Sequence, residues 1–290
     1  MIGRKLTSAL QEKNHSVAWF STSLKSGDIE NVDVYSWDLP TKTVSDEAKE
    51  KKWDYVFHLA GAGVADKRWT AERKKEILQS RVQSTNVLHE FLAGSDQKPK
   101  AVISASAIGY YGFKTSNEVI DETGTPGDDF LAKVTQEWEN HTESFTDLNI
   151  RNVRLRIGIV LAKEGGALAE MNKPPVITPL ASGKQWMPWI HVDDLVSMFI
   201  FAMENDSASG IYNAAGNNQV TNEKLSKALA KACKKPFVGI GAPGFVLKLV
   251  LGEMHEMVTQ GTRVSNNKIK DAGFKFTYDT VEEALKEIYG

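Results

Sequence analysis

Apolar residues recur at helical spacing from the start of the chain: Ile2, Leu6, Ala9 and Leu10, with a polar turn over Glu12 to Ser16. A short apolar run, Val17-Ala18-Trp19-Phe20, then reads as a strand extending to Ser21. The order is helix then strand, the second half of a βαβ unit without its first strand. Tyr55 to Leu59 reads as a strand, Thr70 to Leu92 as a long helix and Lys100 to Ser104 as another strand. Ala132 to Phe145 reads as a helix, with Val134, Trp138 and His141 on one side, and Asn152 to Leu161 as a further strand region. Strands alternating with helices predict an α/β fold: a doubly wound parallel sheet with right-handed crossovers and helices on both faces.

The alternation stops after Leu161. Gly165-Gly166 and Pro174-Pro175 mark irregular chain up to Trp189, and Asp194 to Asn205 is a strongly apolar helix. From Pro236 the composition changes again, with Pro243, Gly252 and a Met-rich stretch, Met254 to Met257. The expected organisation is a dinucleotide-binding domain over 1–163 plus 190–235, and a smaller substrate lobe over 164–189 and 236–290. Open parallel sheets bind ligands at the carboxyl ends of their strands, and a lobe covering that edge would act as a lid.

Composition narrows the function. With 290 residues, 41% of them hydrophobic, the chain can bury a large core. Its net charge of −2 gives no reason to expect nucleic acid or an anionic membrane as partner, and oligomeric state is not legible. One cysteine, Cys233, allows no internal disulfide and fits a reducing, cytoplasmic setting. The longest apolar stretch, Gly244 to Leu251, is interrupted by Lys248 and is far short of the roughly 20 residues of a membrane span. The six histidines show no metal-ligand spacing, and neither His-Glu-x-x-His, Cys-x-x-Cys nor Gly-x-Ser-x-Gly occurs, so no metal is expected.

Three segments could carry chemistry. Leu59-Ala60-Gly61-Ala62-Gly63 follows a buried strand, and its small residues let a ligand approach the backbone. Ser104 to Gly112 ends another strand. Its hydroxyls, Ser106, Tyr110 and Tyr111 among them, suit proton transfer to a bound carbonyl or alcohol. In Trp186 to Asp194, Asp193 or Asp194 suits a helix N-cap, and His191, beside two carboxylates, suits either a base or, the favoured reading, a packed histidine holding the lobes together.

Together these segments resemble the atypical and extended short-chain dehydrogenase/reductases, and more closely the NAD-dependent epimerase-like family with its YfcH-type members. The resemblance covers nearly the whole chain. It rests on His58-Leu59-Ala60-Gly61, Ala65-Asp66-Lys67-Arg68-Trp69, Ser80-Arg81, Ser104-Ala105-Ser106 through Gly112, Gly165-Gly166-Ala167-Leu168, Trp189 to Leu195, and Ala272-Gly273-Phe274. It implies a Rossmann-type domain binding NADP(H) or NAD(H). Family members begin with a strand and a glycine-rich turn of which only Ile2-Gly3 match the tail. The expectation is that this strand and turn are missing, by N-terminal truncation. The family's cofactor contacts carry over to Gly3, Ser21, Thr22, Leu59, Ala60, Gly61, Glu76, Arg81 and Val160.

An NAD site usually offers a carboxylate to the ribose at the end of the second strand. Here Ser21 to Lys25 has none, which favours NADP over NAD and makes Lys25 a candidate phosphate partner. Reductases of this superfamily use a Tyr-x-x-x-Lys pair. The matching segment reads Phe130-Leu131-Ala132-Lys133-Val134, and phenylalanine transfers no proton. Tyr111 or Tyr110, with Ser106 orienting the substrate and Lys133 nearby, would have to substitute. The resemblance therefore implies an NADP(H)-dependent oxidoreductase or epimerase for a small polar, sugar-like substrate. The alternative is a catalytically weak nucleotide-binding sensor or partner protein, like relatives labelled cell-division inhibitors.

Overall fold

The computed structural model describes residues 1–23, 29–113 and 115–290. Helix α1 (Ile2–Glu12) buries Leu6, Thr7 and Leu10 on one side. β1 (Ala18–Ser21) pairs in parallel with β2 (Asp33–Asp38), which turns back onto β3 (Thr43–Val44). After the one turn of α2 (Asp46–Lys49) come β4 (Tyr55–His58) and the long α3 (Ala71–Gly94), whose first turn is capped by the Thr70 side chain. β5 (Ala101–Ala107), the short β6 (Val119–Ile120), α4 (Phe130–Glu143) and β7 (Arg151–Ile157) follow. Then come β8 (Ile159–Leu161), α5 (Gly166–Asn172), β9 (Trp186–Met187), β10 (Trp189–His191), α6 (Val192–Glu204) and β11 (Gly210–Ala214). The chain closes with β12 (Val220–Thr221), α7 (Asn222–Ala232), α8 (Gly244–Leu251), α9 (Glu256–Thr259), β13 (Arg263–Val264), α10 (Asn267–Asp271) and α11 (Val281–Tyr289).

The expected doubly wound sheet is present, in two pieces. Strands run in the order β11-β7-β5-β4, every pair parallel, and β1-β2-β3 form a separate sheet. Among the described residues no ladder joins β1 to β4, yet the same helices cover both. Val87 and Phe91 of α3 pack with Phe20, Tyr35 and Trp37, while Leu88 and Leu92 pack with Val56 and Val102. On the other side Leu6 and Leu10 of α1 join Val17, Phe57 and Leu59.

Side-chain alternation along β5 and β7 divides their surroundings. Ala101, Ile103, Ala105, Val153 and Leu155 enter the largest apolar cluster with Leu195 and Phe199 of α6. The intervening positions, Ser104, Ser106, Asn152, Arg154 and Arg156, are polar and buried. β5 runs to Ala107, beyond the Ser104 expected from the sequence, so Ser106 lies within the strand. The strand region read over 152–161 is broken at Gly158, where a Cβ would stand 2.0 Å from the Pro188 carbonyl oxygen. That close approach lets β8 leave β7 and pair with β10.

A second apolar cluster joins Leu161, Leu168, Ile177 and Trp189 to Leu225 and Leu229 of α7 and Val281, Leu285 and Ile288 of α11. Helices α7 and α11 thus share this second core with β8 and β10. Ile269 and Phe274 return to the main core. No helix among the described residues is long and apolar enough to cross a membrane.

Candidate functional site

The loop after β4 is braced from α3. Ser80 Oγ accepts from Ala62 N at 2.9 Å, and Arg81 Nη1 donates to the Ala62 carbonyl at 3.1 Å. Arg73, nine-tenths buried, donates to the Gly63 carbonyl and pairs with Glu76 at 2.7 Å. Gly61 lets the loop lie on Arg81, since a Cβ there would meet the guanidinium at 3.1 Å. Arg81 also lies over the Trp138 ring at 4.9 Å. No carboxylate among the described residues pairs with it, and burial and the neighbouring Arg73 lower its pKa to about 10. Below the loop His58 is buried, and burial together with the Arg81 charge lowers its pKa to about 4. Thr85 Oγ1 donates to Arg81 O, so His58 Nε2 is the donor in its 3.0 Å contact with Thr85.

At the carboxyl ends of β5, β7 and β11 lies a buried polar network. Arg156 grips both oxygens of Glu139 at 2.8 and 2.7 Å, and Ser106 Oγ donates to Glu139 Oε1 at 2.5 Å. Arg156 Nη1 donates to Tyr111 Oη at 2.8 Å, and Tyr111 donates in turn to Asn213 Oδ1 at 2.8 Å. Glu122 accepts from Asn213 N through its carboxylate. Burial disfavours the Arg156 charge, but the paired Glu139 carboxylate holds its pKa above the usual arginine value. Burial pushes the Tyr111 hydroxyl up to about 12 against the opposing pull of the Arg156 cation. The Arg156 guanidinium also stacks 3.4 Å from the centre of the half-buried Tyr110 ring. No described residue hydrogen-bonds the Tyr110 hydroxyl.

The third segment is tied to the C-terminal chain. His191 Nδ1 accepts from Asp193 N and caps α6, so Nε2 carries the hydrogen that reaches Glu287 at 2.9 Å. Its ring packs at a tilt against Tyr278, with ring centres 4.0 Å apart. The cap expected from Asp193 or Asp194 is therefore His191 itself. Asp194 instead accepts from Thr277 N and Tyr278 N, and burial raises its pKa against those bonds. His191, Asp193 and Glu287 bring ligand-type atoms within 4.8 Å of one another, but Asp193 already pairs with Lys5 at 2.6 Å and both imidazole nitrogens are engaged.

The expected cofactor residues are spread over the ends of β1 and β4, over β8 and over helices α1 and α3. Ser21 ends β1 and Thr22 is exposed beyond it; Leu59, Ala60 and Gly61 follow β4; Val160 lies half-buried in β8. Gly3 sits in the first turn of α1, where a Cβ would be 3.8 Å from both Leu59 and Trp19. Glu76 is exposed and paired to Arg73. Lys25 lies outside the described residues. Ser106 and Tyr111, at 3% and 0% exposure, have their hydroxyls committed to the network. Phe130 packs edge-on to Trp69 at 4.9 Å, and Lys133 is exposed on α4. Sequence reading did not find Glu139, Arg156 or Asn213. The signal was there: polar residues alternating with apolar ones in an inner strand, Asn152 to Arg156, require buried partners.

Residues 1–215 match the family described as NAD dependent epimerase/dehydratase, and residues 242–288 match a domain of unknown function, DUF1731. An epimerase family protein of Staphylococcus aureus is 32% identical over 99% of this chain and 95% of its own length. A chloroplastic epimerase family protein of Arabidopsis thaliana, an SDR39U1 homolog, is 34% identical over 99% of this chain and 83% of its own. Among solved structures, human epimerase family protein SDR39U1 with NADPH superposes with a TM-score of 0.87. It is 27% identical and covers 100% of this chain and 96% of that one.

Proposed function

The chain belongs to the NAD dependent epimerase/dehydratase family, and from that membership we propose that it binds NADP(H) along the carboxyl ends of β1, β4 and β5. With it the protein carries out an oxidoreductase or epimerase reaction on a small polar, sugar-type substrate. The observation that carries the proposal is Arg81, a half-buried cation with no carboxylate partner among the described residues, beside a loop of small residues. Such a charge is stable when an anionic ligand group meets it. The bound nucleotide supplies hydride transfer. Leu59, Ala60 and Gly61 would let it lie against the backbone, and Ser21 and Thr22 would face a phosphate-bearing ribose without a repelling carboxylate. The human relative crystallised with NADPH supports the phosphorylated form.

Phe130 leaves proton transfer to another group. Tyr110 is our candidate for contact with the substrate, because its hydroxyl is uncommitted while Arg156 holds its ring. In this reading Ser106 and Tyr111 are positioning residues. Their commitment also supports a second reading, a nucleotide-holding sensor or partner protein with little turnover.

Titration of NADPH and NADH into wild type and Arg81→Met tests binding. NADPH should bind more tightly, and Arg81→Met should weaken it about 10- to 100-fold. A panel of aldehydes and ketones then separates the two readings. NADPH oxidation that Tyr110→Phe abolishes supports the enzyme, and binding without turnover supports the sensor. Failure of the wild type to bind either nucleotide would overturn both.

A further inference from the structure

Charge along this chain is segregated. From Lys224 to Gly252 there are six lysines and no aspartate or glutamate, although the net charge of the whole is −2. Lys224, Lys227 and Lys231 stand at i, i+3 and i+7 on the exposed side of α7, whose opposite side buries Leu225, Ala228 and Leu229. Lys234 and Lys248 are exposed as well. Among the described residues no carboxylate pairs with any of these five. The sixth, Lys235, donates to the Asn172 and Pro174 carbonyls.

The same stretch carries most of the exposed large apolar side chains. Ile240, Phe245 and Leu249 are 80%, 76% and 78% exposed, and Val238, Val246 and Val250 accompany them. Helix α8 buries none of its residues, although Lys248 is its sole charged one. A helix apolar all round is normally covered. The two features adjoin. Phe237 bridges to Ile177 and Ala242 to Leu180, which runs the chain back toward Gly183, whose carbonyl accepts from Glu223 at the start of α7.

We propose that this face of the smaller lobe docks on the surface of an anionic membrane. Apolar side chains of 238–250 enter the headgroup boundary, and the unpaired lysines face lipid phosphates. At about 12 Å, α8 is too short to span and would lie in the interface. Charge selects this occupant over a second copy of the chain, since a two-fold contact would bring two unpaired lysine sets together. A nucleic acid would engage the lysines but leave Ile240, Leu249 and Val250 in water. The net charge hid this surface because acidic residues elsewhere balance it. The proposal does not depend on the cofactor reading.

The test is co-sedimentation of the full chain with phosphatidylcholine vesicles, with and without about one third phosphatidylglycerol. Binding is expected to the anionic vesicles only and to fall with added salt. Lys224→Gln/Lys227→Gln/Lys231→Gln should lower partitioning at least about tenfold. Phe245→Ser/Leu249→Ser should lower it similarly, with unchanged melting temperature because both side chains are exposed. Absence of binding at low salt, or binding indifferent to both variants, overturns the proposal. So does a concentration-dependent dimer that Phe245→Ser/Leu249→Ser dissolves, or RNA binding in place of vesicle binding.

Discussion

Ser106 Oγ donates to Glu139 Oε1 at 2.5 Å, and the same oxygen receives Arg156 Nε at 2.8 Å. A serine near the carboxyl end of an inner strand thereby commits its hydroxyl to a buried ion pair. Replacing Glu139 by Gln would leave Arg156, 1% exposed, without a counter-charge. We expect a loss of about 3–5 kcal/mol, read from urea unfolding. Ser106→Ala, which leaves that pair in place, should cost about 1 kcal/mol. Equal losses from the two would show that the pair is not what holds this edge.

His58 gives stability a pH dependence. Its folded pKa is depressed to about 4 from the usual 6.5. As pH falls below about 6.5 the unfolded chain takes up this proton first, so stability drops between about 6.5 and 4 and is fully present above. His58→Gln should be less stable at neutral pH but flatter over that interval. The check is thermal unfolding of both proteins across it; parallel curves would remove His58 as the cause.

Arg81 should trade stability for binding. Because no carboxylate offsets its burial, Arg81→Met is expected to leave apo stability within about 1 kcal/mol of wild type, while removing most of the thermal shift produced by NADPH. A strongly destabilised apo variant would instead mark Arg81 as a structural brace for the Ala62 and Ile77 carbonyls.

Gly158 separates β7 from β8. Its would-be Cβ lies 2.0 Å from the Pro188 carbonyl oxygen, a backbone atom that cannot rotate away. Gly158→Ala should cost about 1–3 kcal/mol. At Gly63→Ala the nearest atoms belong to the exposed Asp66 carboxylate, which can swing aside, and the substitution should cost less. Comparing their denaturant midpoints checks the difference.

Local sequence determined the alternation of strands and helices, the small-residue loop after Tyr55 to His58, and the family. Each depends on residues close together in the chain. It also put a phenylalanine, Phe130, in the segment that resembles the Tyr-x-x-x-Lys pair, an expectation that depends on residue type alone. Only tertiary structure decided which hydroxyls are free. Ser106 meets Glu139 from 33 residues away, and Tyr111 meets Asn213 from 102. No periodicity encodes such pairs. The pattern Asn152 to Arg156 announced that an inner strand had polar needs, but packing chose what satisfies them. A buried ion pair accepts only partners that reach it with good geometry, and that geometry exists only once α4 lies on the sheet. The same holds for charge: the sequence places six lysines in one acid-free run, and the fold decides that five of them meet no carboxylate among the described residues.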